Sequence, residues 1–206
     1  MFTSSEYFTI IPLINHRLRR CAQLKTGIIS VLGKDLNLII KSCKLFHAPF
    51  GNHKAILNSS QSLVWNYELP DISFKKIPYK IFENNNMFAS CASGSSGYDT
   101  MIICPCSMGT LGRIASGVSD NLISRTADVM LKERKKLIMV SREMPLNLIH
   151  INNMKTITEA GAIICPASPS FYSLPKNMEE LVLTVINKVL LLAGFEIESF
   201  HWGKKI

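Results

Sequence analysis

Short apolar runs alternate with longer segments of helical period in the second half of the chain. Three runs, TMIIC, KLIMV and GAIIC, begin at Thr100, Lys136 and Gly161. Continuous apolar runs of this length are typical of strands buried on both faces of a parallel sheet, and the segments between them are long enough for crossover helices. The pattern predicts an α/β fold built on a doubly wound parallel sheet.

Helices are predicted between these runs and after the last of them. One helix follows Asp120 and Asn121, either of which can cap its N-terminus, and another lies in LNLIHINNMKTITEA. A final helix is predicted at about 177 to 193, because Gly194 is suited to end it.

The first half of the chain has weaker signals. TGIISVLG and YKIF predict strands, and KDLNLIIKSCKLF predicts a helix. Residues 48 to 78 contain Pro49, Gly51, Pro70 and Asp71 among mixed residues, which predicts a loop or insertion with little structure of its own. A length of 206 residues fits one compact unit, so we predict that residues 1–206 form a single domain.

Composition narrows the class of protein. The chain is 47% hydrophobic and 18% charged, which argues against both a disordered chain and a protein with many membrane spans. The apolar stretch LVLTVINKVLLLAGF is shorter than the roughly 20 residues of a membrane span, and the first 20 residues do not have the charge order of a secretory signal. We therefore predict a cytoplasmic protein without membrane insertion.

The cysteines and the basic residues do not indicate a metal-binding, redox or nucleic-acid-binding protein. The six cysteines lie mainly in apolar runs, and the Cys104-x-Cys106 spacing without a nearby histidine does not favour a zinc or thioredoxin-like site. Of the net charge of +8, the excess is concentrated in residues 1–50, where seven of the 23 Lys and Arg residues face only two acidic ones. A solvated helix face explains this cluster better than nucleic-acid binding does, since no aromatic stacking set accompanies it.

Candidate chemistry follows the predicted strands, because ligands in open α/β sheets bind beyond the carboxyl ends of the strands. PCSMGT follows the first run. Ser107 and Thr110 offer hydroxyl groups, Gly109 allows close approach of the backbone, and the start of a helix favours an anion. The segment is either a phosphate-binding turn or an ordinary turn capped by Thr110.

The next two strand ends also allow two interpretations each. Arg142 and Glu143 follow the second run. They form either a surface ion pair or a site in which Arg142 binds an anion and Glu143 transfers a proton. Phe171 and Tyr172 follow the third run in PASPSFYSLPKN, a loop that either builds a pocket or buries its aromatic side chains.

The predicted helix after Asn121 carries three charged residues on one face. Arg125, Asp128 and Lys132 are spaced by three and four residues. They form either a ladder of salt bridges or a phosphate site in which Asp128 orients the two cations.

The motifs ASGS, CPCSMGTL, NLISRTADVMLKE, REMPL and PASPSFY occur in this order between residues 79 and 203, which also include a WG pair near the end. Together they are similar to those of the UbiX flavin prenyltransferases. The resemblance implies a flavodoxin-like, Rossmann-like fold and a metal-independent reaction. Reduced FMN is alkylated with dimethylallyl phosphate to form a fourth ring between N5 and C6.

The resemblance also implies partners. Prenylated FMN is passed to UbiD-type decarboxylases, in ubiquinone biosynthesis or aromatic acid metabolism. The family forms homododecamers with active sites at subunit contacts.

Roles are implied for matching positions of this chain. Glu143 matches the carboxylate assigned to proton transfer, and Arg125 and Lys132 match basic residues near the leaving phosphate. Tyr172 and Lys188 match ligands of dimethylallyl phosphate, with Lys188 standing where many members have arginine. The positions that match flavin-binding residues are Ser30, Ser107, Met108, Gly109, Thr110 and Arg142.

The chain departs from the family in residues 1–25, which contain no glycine. Members have a glycine-rich turn here whose backbone binds the FMN phosphate, so we expect this chain to bind FMN weakly. Two alternatives to the prenyltransferase follow: a flavin-dependent cysteine-type decarboxylase of the same fold, and a non-catalytic flavin-binding paralogue.

Overall fold

The computed structural model of the protein describes residues 27–31, 54–57 and 80–195. In this part of the chain, six parallel strands form one sheet in the order β3-β2-β1-β4-β5-β6. The strands are β1 (Gly27–Val31), β2 (Lys54–Leu57), β3 (Lys80–Glu83), β4 (Thr100–Cys106), β5 (Lys136–Ser141) and β6 (Ile163–Ile164). The order reverses between β1 and β4, where sheets of this type bind ligands.

Four α-helices belong to the described residues. They are α1 (Met108–Ala115), α2 (Leu122–Lys132), α3 (Leu148–Glu159) and α4 (Met178–Ala193). Two short 3-10 turns, Ser90–Ala92 and Gly94–Ser96, lie between β3 and β4.

The central strands are buried on both faces. Met101 and Ile103 of β4 and Leu137 and Met139 of β5 pack in one cluster with side chains of α1, α2 and α3. The alternate residues of both strands are also buried, and α4 packs against β5 through its own apolar residues. A strand with helices on both sides needs apolar residues at every position, which explains the continuous runs in the sequence.

Most of the strand predictions are confirmed. The apolar runs are β4, β5 and β6, and TGIISVLG and YKIF contain β1 and β3. The prediction of a loop across residues 48 to 78 is wrong for Lys54–Leu57, which is β2 and pairs with both β1 and β3. Its four residues, KAIL, are too short a run to stand out from a polar surrounding.

Several predictions fall outside the described residues. These are the segment 1–25, the helix in KDLNLIIKSCKLF, and the rest of the region 48 to 78. That the whole chain forms one domain also stays a prediction.

The helix ends follow from local sequence. Asn121, rather than Asp120, caps α2, because its side chain accepts the Ser124 N–H while Ser124 reaches back to the Asn121 N–H. Gly194 ends α4 as predicted, with a φ of 96° that residues with a side chain rarely adopt. None of the helices in the described part of the chain has the length and hydropathy of a membrane span.

The Cys106 thiol gives a prediction about alkaline stability. Burial raises the pKa of Cys106 from its ordinary value of 9.0 to about 12. A hydrogen bond with the Leu111 backbone has a smaller effect and lowers the pKa. The native state therefore keeps this proton at a pH where the unfolded chain releases it. The free energy of unfolding should fall as the pH rises from about 9 to 12, by up to about 1.4 kcal/mol per pH unit.

Urea unfolding at pH 8, 9 and 10 tests this contribution. The Cys106→Ala variant should lose part of the alkaline slope. Equal slopes for the two proteins would contradict a buried, protonated thiol at this position.

Candidate active site

Ser107 starts α1 directly after β4 and is its N-cap. Its Oγ accepts the Thr110 N–H at 3.2 Å and lies 3.1 Å from the Thr110 hydroxyl. The interpretation of Thr110 as the cap is therefore wrong, because the residue in extended conformation before the helix is Ser107. The two hydroxyl groups stand together at the carboxyl edge of the sheet.

The first turn of α1 is open to a ligand. Helix geometry leaves the N–H groups of Met108 and Gly109 without an intrahelical acceptor. A Cβ on Gly109 would have its nearest neighbours at 4.0 Å, so packing within the chain does not require glycine there. The Met108 side chain is part of the hydrophobic core, so we expect its backbone N–H to be the group that faces a ligand. This turn suits a group that accepts hydrogen bonds or carries negative charge.

Arg142 and Glu143 lie next to this turn. They follow β5 directly, and β5 ends at Ser141, which pairs with Cys106 immediately before Ser107. Both side chains are exposed. A cation and a carboxylate thus stand at the carboxyl end of the strand beside the α1 turn.

The loop after β6 is hydrogen-bonded to α4. The Ser170 N–H donates to the Thr184 hydroxyl at 3.0 Å, and Lys188 lies one helical turn beyond Thr184 on the same face of α4. Tyr172 is in the same loop and is 59% exposed. Tyr172 and Lys188 therefore belong to a loop and a helix that are joined by a hydrogen bond.

Burial and the Lys188 charge have opposite effects on the pKa of the Cys165 thiol. Burial raises the pKa of the Cys165 thiol, and the positive charge of Lys188 acts in the opposite direction. Cys165 follows β6, and its N–H donates to Met139 of β5 at 2.9 Å. The loop that begins at Cys165 is thus joined to β5, the strand that leads to Arg142.

Ser30 lies in β1, which is next to β4 on the side opposite β5. It pairs with Ile103 of β4 and with Ile56 of β2. This position is one residue before the end of β1, at the point where the strand order reverses.

The charged residues of α2 do not form one continuous series of salt bridges. Arg125 pairs with Asp128 at 3.3 Å, and its Nε donates to the Ala92 carbonyl oxygen at 3.2 Å. Lys132 pairs with the adjacent Glu133. The predicted ladder is therefore correct for Arg125 and Asp128, whereas Lys132 has a nearer carboxylate.

Glu133 was not predicted from the sequence. Its pKa is lowered because Lys132 donates a hydrogen bond to it and places a charge beside it, with a further contribution from Lys135. Its carboxylate packs against Gly94 of the ASGS motif, where a methyl group would collide with it. The fold brings these residues together from segments that are 39 positions apart, which no local pattern could reveal.

One chain does not bring all the predicted site residues together. Lys132 ends α2 just before β5 begins, whereas Glu143 follows the end of β5. Six residues of strand span about 20 Å, so these two side chains lie at opposite edges of the sheet. Within the described residues, no group of three His, Cys, Asp or Glu side chains could hold a metal ion.

Comparisons with known proteins agree on one family. The sequence profile of the Flavoprotein family matches residues 31–190. A flavin prenyltransferase UbiX of Methanocaldococcus jannaschii is 38% identical over 170 residues, which cover 82% of this chain and 84% of the relative. This chain spans only 57, 61 and 63% of the length of three further curated UbiX relatives.

Two solved structures are similar over most of their length. AnUbiX (PadA1), in complex with FMN and dimethylallyl pyrophosphate, has a TM-score of 0.79 and 34% identity, covering 88% of this chain and 99% of that one. A dodecameric FMN-dependent UbiX-like decarboxylase from Escherichia coli O157:H7 has a TM-score of 0.79 and 30% identity, covering 85 and 98%. The flavodoxin-like, doubly wound fold predicted from the sequence is confirmed by these similarities.

Proposed function

We infer that this chain, which belongs to the Flavoprotein family and within it to the UbiX flavin prenyltransferases, transfers a dimethylallyl group from dimethylallyl phosphate to reduced FMN. One observation carries the proposal. The α1 turn, the Arg142–Glu143 pair and the loop with Tyr172 lie at the ends of β4, β5 and β6, on one edge of the sheet. Flavin, acid–base and phosphate functions can therefore act on one bound pair of substrates.

The flavin is held on the α1 side. The residues proposed to bind it are Ser30, Ser107, Met108, Gly109, Thr110 and Arg142. The hydroxyl and N–H groups of the turn donate to its polar atoms, and Arg142 contributes a fixed positive charge. Reduced FMN supplies the electron-rich ring that accepts the prenyl group.

The phosphate is held on the α4 side. Tyr172 donates its hydroxyl hydrogen and Lys188 its ammonium hydrogens to the phosphate oxygens, where negative charge grows as the carbon–oxygen bond breaks. The prenyl carbon bonds to N5 as its bond to the phosphate oxygen breaks. Ring closure then joins one alkene carbon of the prenyl group to C6, while the other alkene carbon gains a proton and C6 loses one. Glu143 takes the proton that C6 loses.

Lys132, and with it Arg125 from the same face of α2, is supplied by a neighbouring copy of the chain. Lys132 is about 20 Å of strand away from Glu143 within one chain, so a second subunit is needed to bring it to the same phosphate. The proposed assembly is a homo-oligomer, and we expect a dodecamer like that of the similar Escherichia coli structure. The proposed recipient of the product is a UbiD-type decarboxylase, and the proposed location is the cytoplasm.

The proposal is tested by product formation under anaerobic conditions. The purified protein should convert reduced FMN and dimethylallyl phosphate into a species with a new absorbance spectrum, and release one phosphate for each flavin consumed. A spectrum that stays that of reduced FMN while free phosphate accumulates would contradict transfer to the flavin.

Chelation should leave this reaction unchanged. Four groups, Arg125, Lys132, Tyr172 and Lys188, are proposed to stabilise the departing phosphate, which gives it the charge compensation that a magnesium ion would otherwise supply. The initial rate should be the same with and without an excess of EDTA. An absolute requirement for an added divalent ion would contradict the assignment of these four groups.

A further inference from the structure

The asparagine-rich turn after β3 makes two contacts with the start of α2. The carbonyl oxygen of Asn84 accepts the Leu122 N–H at 2.7 Å, and its side-chain Oδ1 accepts the Ile123 N–H at 2.9 Å. These are the first two N–H groups of α2, which have no acceptor inside the helix. The third, of Ser124, is satisfied by the N-cap Asn121.

These contacts join parts of the chain that are far apart in sequence. Asn84 is the residue after β3, at the edge of the sheet, and its side-chain contact crosses 39 positions. The side chain is half-buried. Since Asn84 occupies the first N–H groups, this helix end is not available to bind an anion, and α2 can act on a phosphate only through its side chains.

Arg125 lies one turn from this attachment. It is three residues after Leu122, and its guanidinium group is oriented by the Ala92 carbonyl oxygen and by Asp128. Ala92 belongs to the segment that continues from the asparagine-rich turn. The same stretch of chain therefore fixes both the start of α2 and the direction of the Arg125 side chain.

We propose that Asn84 is a positioning residue for the prenyl phosphate, which it affects by fixing the start of α2 and thereby the location of Arg125. This inference rests on the proposed function, in which Arg125 binds that phosphate. Asn84 itself touches neither substrate. Its loss should weaken the use of dimethylallyl phosphate and leave flavin binding unchanged.

The test compares Asn84→Ala with Asn84→Asp. Alanine keeps the backbone contact to Leu122 but removes the acceptor for Ile123, so the KM for dimethylallyl phosphate should rise about five- to tenfold. The dissociation constant of FMN should change by less than about twofold, in line with the small effects of distant, independent sites. Aspartate keeps an oxygen acceptor at a helix N-terminus and should retain the parent KM.

Two further measurements make the result specific. Hydrogen exchange of the Ile123 amide should become about tenfold faster in Asn84→Ala and not in Asn84→Asp. Asn86→Ala is the matched control, since Asn86 Oδ1 accepts only the Phe88 N–H in the described part of the chain, at 3.2 Å. It should leave both the KM and the Ile123 exchange unchanged.

Arg125→Ala separates this inference from the proposed function. If Arg125→Ala raises the KM for dimethylallyl phosphate and Asn84→Ala does not, the positioning role is wrong and the proposed phosphate site stands. If Arg125→Ala has no effect, both are wrong. An equal rise in KM for Asn84→Ala and Asn84→Asp would also overturn the positioning role.

Discussion

Replacing Glu143 by glutamine should reduce the rate of prenylated product formation by about 100- to 10,000-fold, the range that positioned acid–base groups contribute. Glutamine keeps the size of the side chain and its capacity for hydrogen bonds, but it cannot take the proton released at C6. Flavin binding should persist, because Arg142 and the α1 turn are unchanged. Single-turnover absorbance measurements and a flavin titration measure the two effects separately.

Glu159→Gln is the matched control for this change. Glu159 is an exposed carboxylate that pairs with Lys155 on α3, so its neutralisation removes the same charge from the surface. The control should react at the parent rate. A Glu143→Gln variant that also reacts at the parent rate would mean that Glu143 is only a structural neighbour of Arg142.

Removing the ammonium group of Lys188 should have the second-largest effect. Charge-assisted hydrogen bonds contribute about 1.5 to 3 kcal/mol, so Lys188→Ala should raise the KM for dimethylallyl phosphate by about 10- to 100-fold. Lys188→Arg should retain or improve the parent KM, because a guanidinium group can bind two phosphate oxygens at once. Tyr172→Phe loses one neutral hydroxyl contact and should have a smaller effect.

The exposed Lys155 provides the control for surface charge. Lys155→Ala should leave the KM unchanged at physiological ionic strength, because exposed charges at a distance are screened. If Lys188→Ala had no larger effect than Lys155→Ala, Lys188 would not be a phosphate ligand. The loss of flavin binding in Lys188→Ala would instead indicate a general disturbance of the carboxyl edge.

The sequence predicted the part of the fold that has the strongest patterns. β4 and β5 are buried on both faces, so their central positions form continuous apolar runs that are easily recognised. β2 was missed because four residues bounded by polar ones give no period to recognise. Asn121 rather than Asp120 became the cap because Ser124, three residues on, completes a reciprocal pair with it.

The candidate site was predictable only in part for a similar reason. Residues that follow apolar runs can be assigned to the carboxyl edge of a parallel sheet from sequence alone, as for Ser107 and Arg142. The partner of Lys132 could not be predicted in this way. Helical spacing allows a pair with Asp128, whereas the structure pairs Lys132 with Glu133. The tie between Asn84 and α2 depends on a contact across 39 positions, which appears only when the chain is folded.

Mass spectrometry of the small molecules released by the protein shows directly whether the prenyl group is transferred to the flavin. The protein is incubated without oxygen, with reduced FMN and with dimethylallyl phosphate that carries carbon-13 in its prenyl group, and is then denatured. We expect a flavin heavier than FMN by one labelled five-carbon unit, and none of it in a control incubated without the protein. Recovery of unmodified FMN alone, from protein shown to be folded and saturated with both substrates, would contradict this transfer.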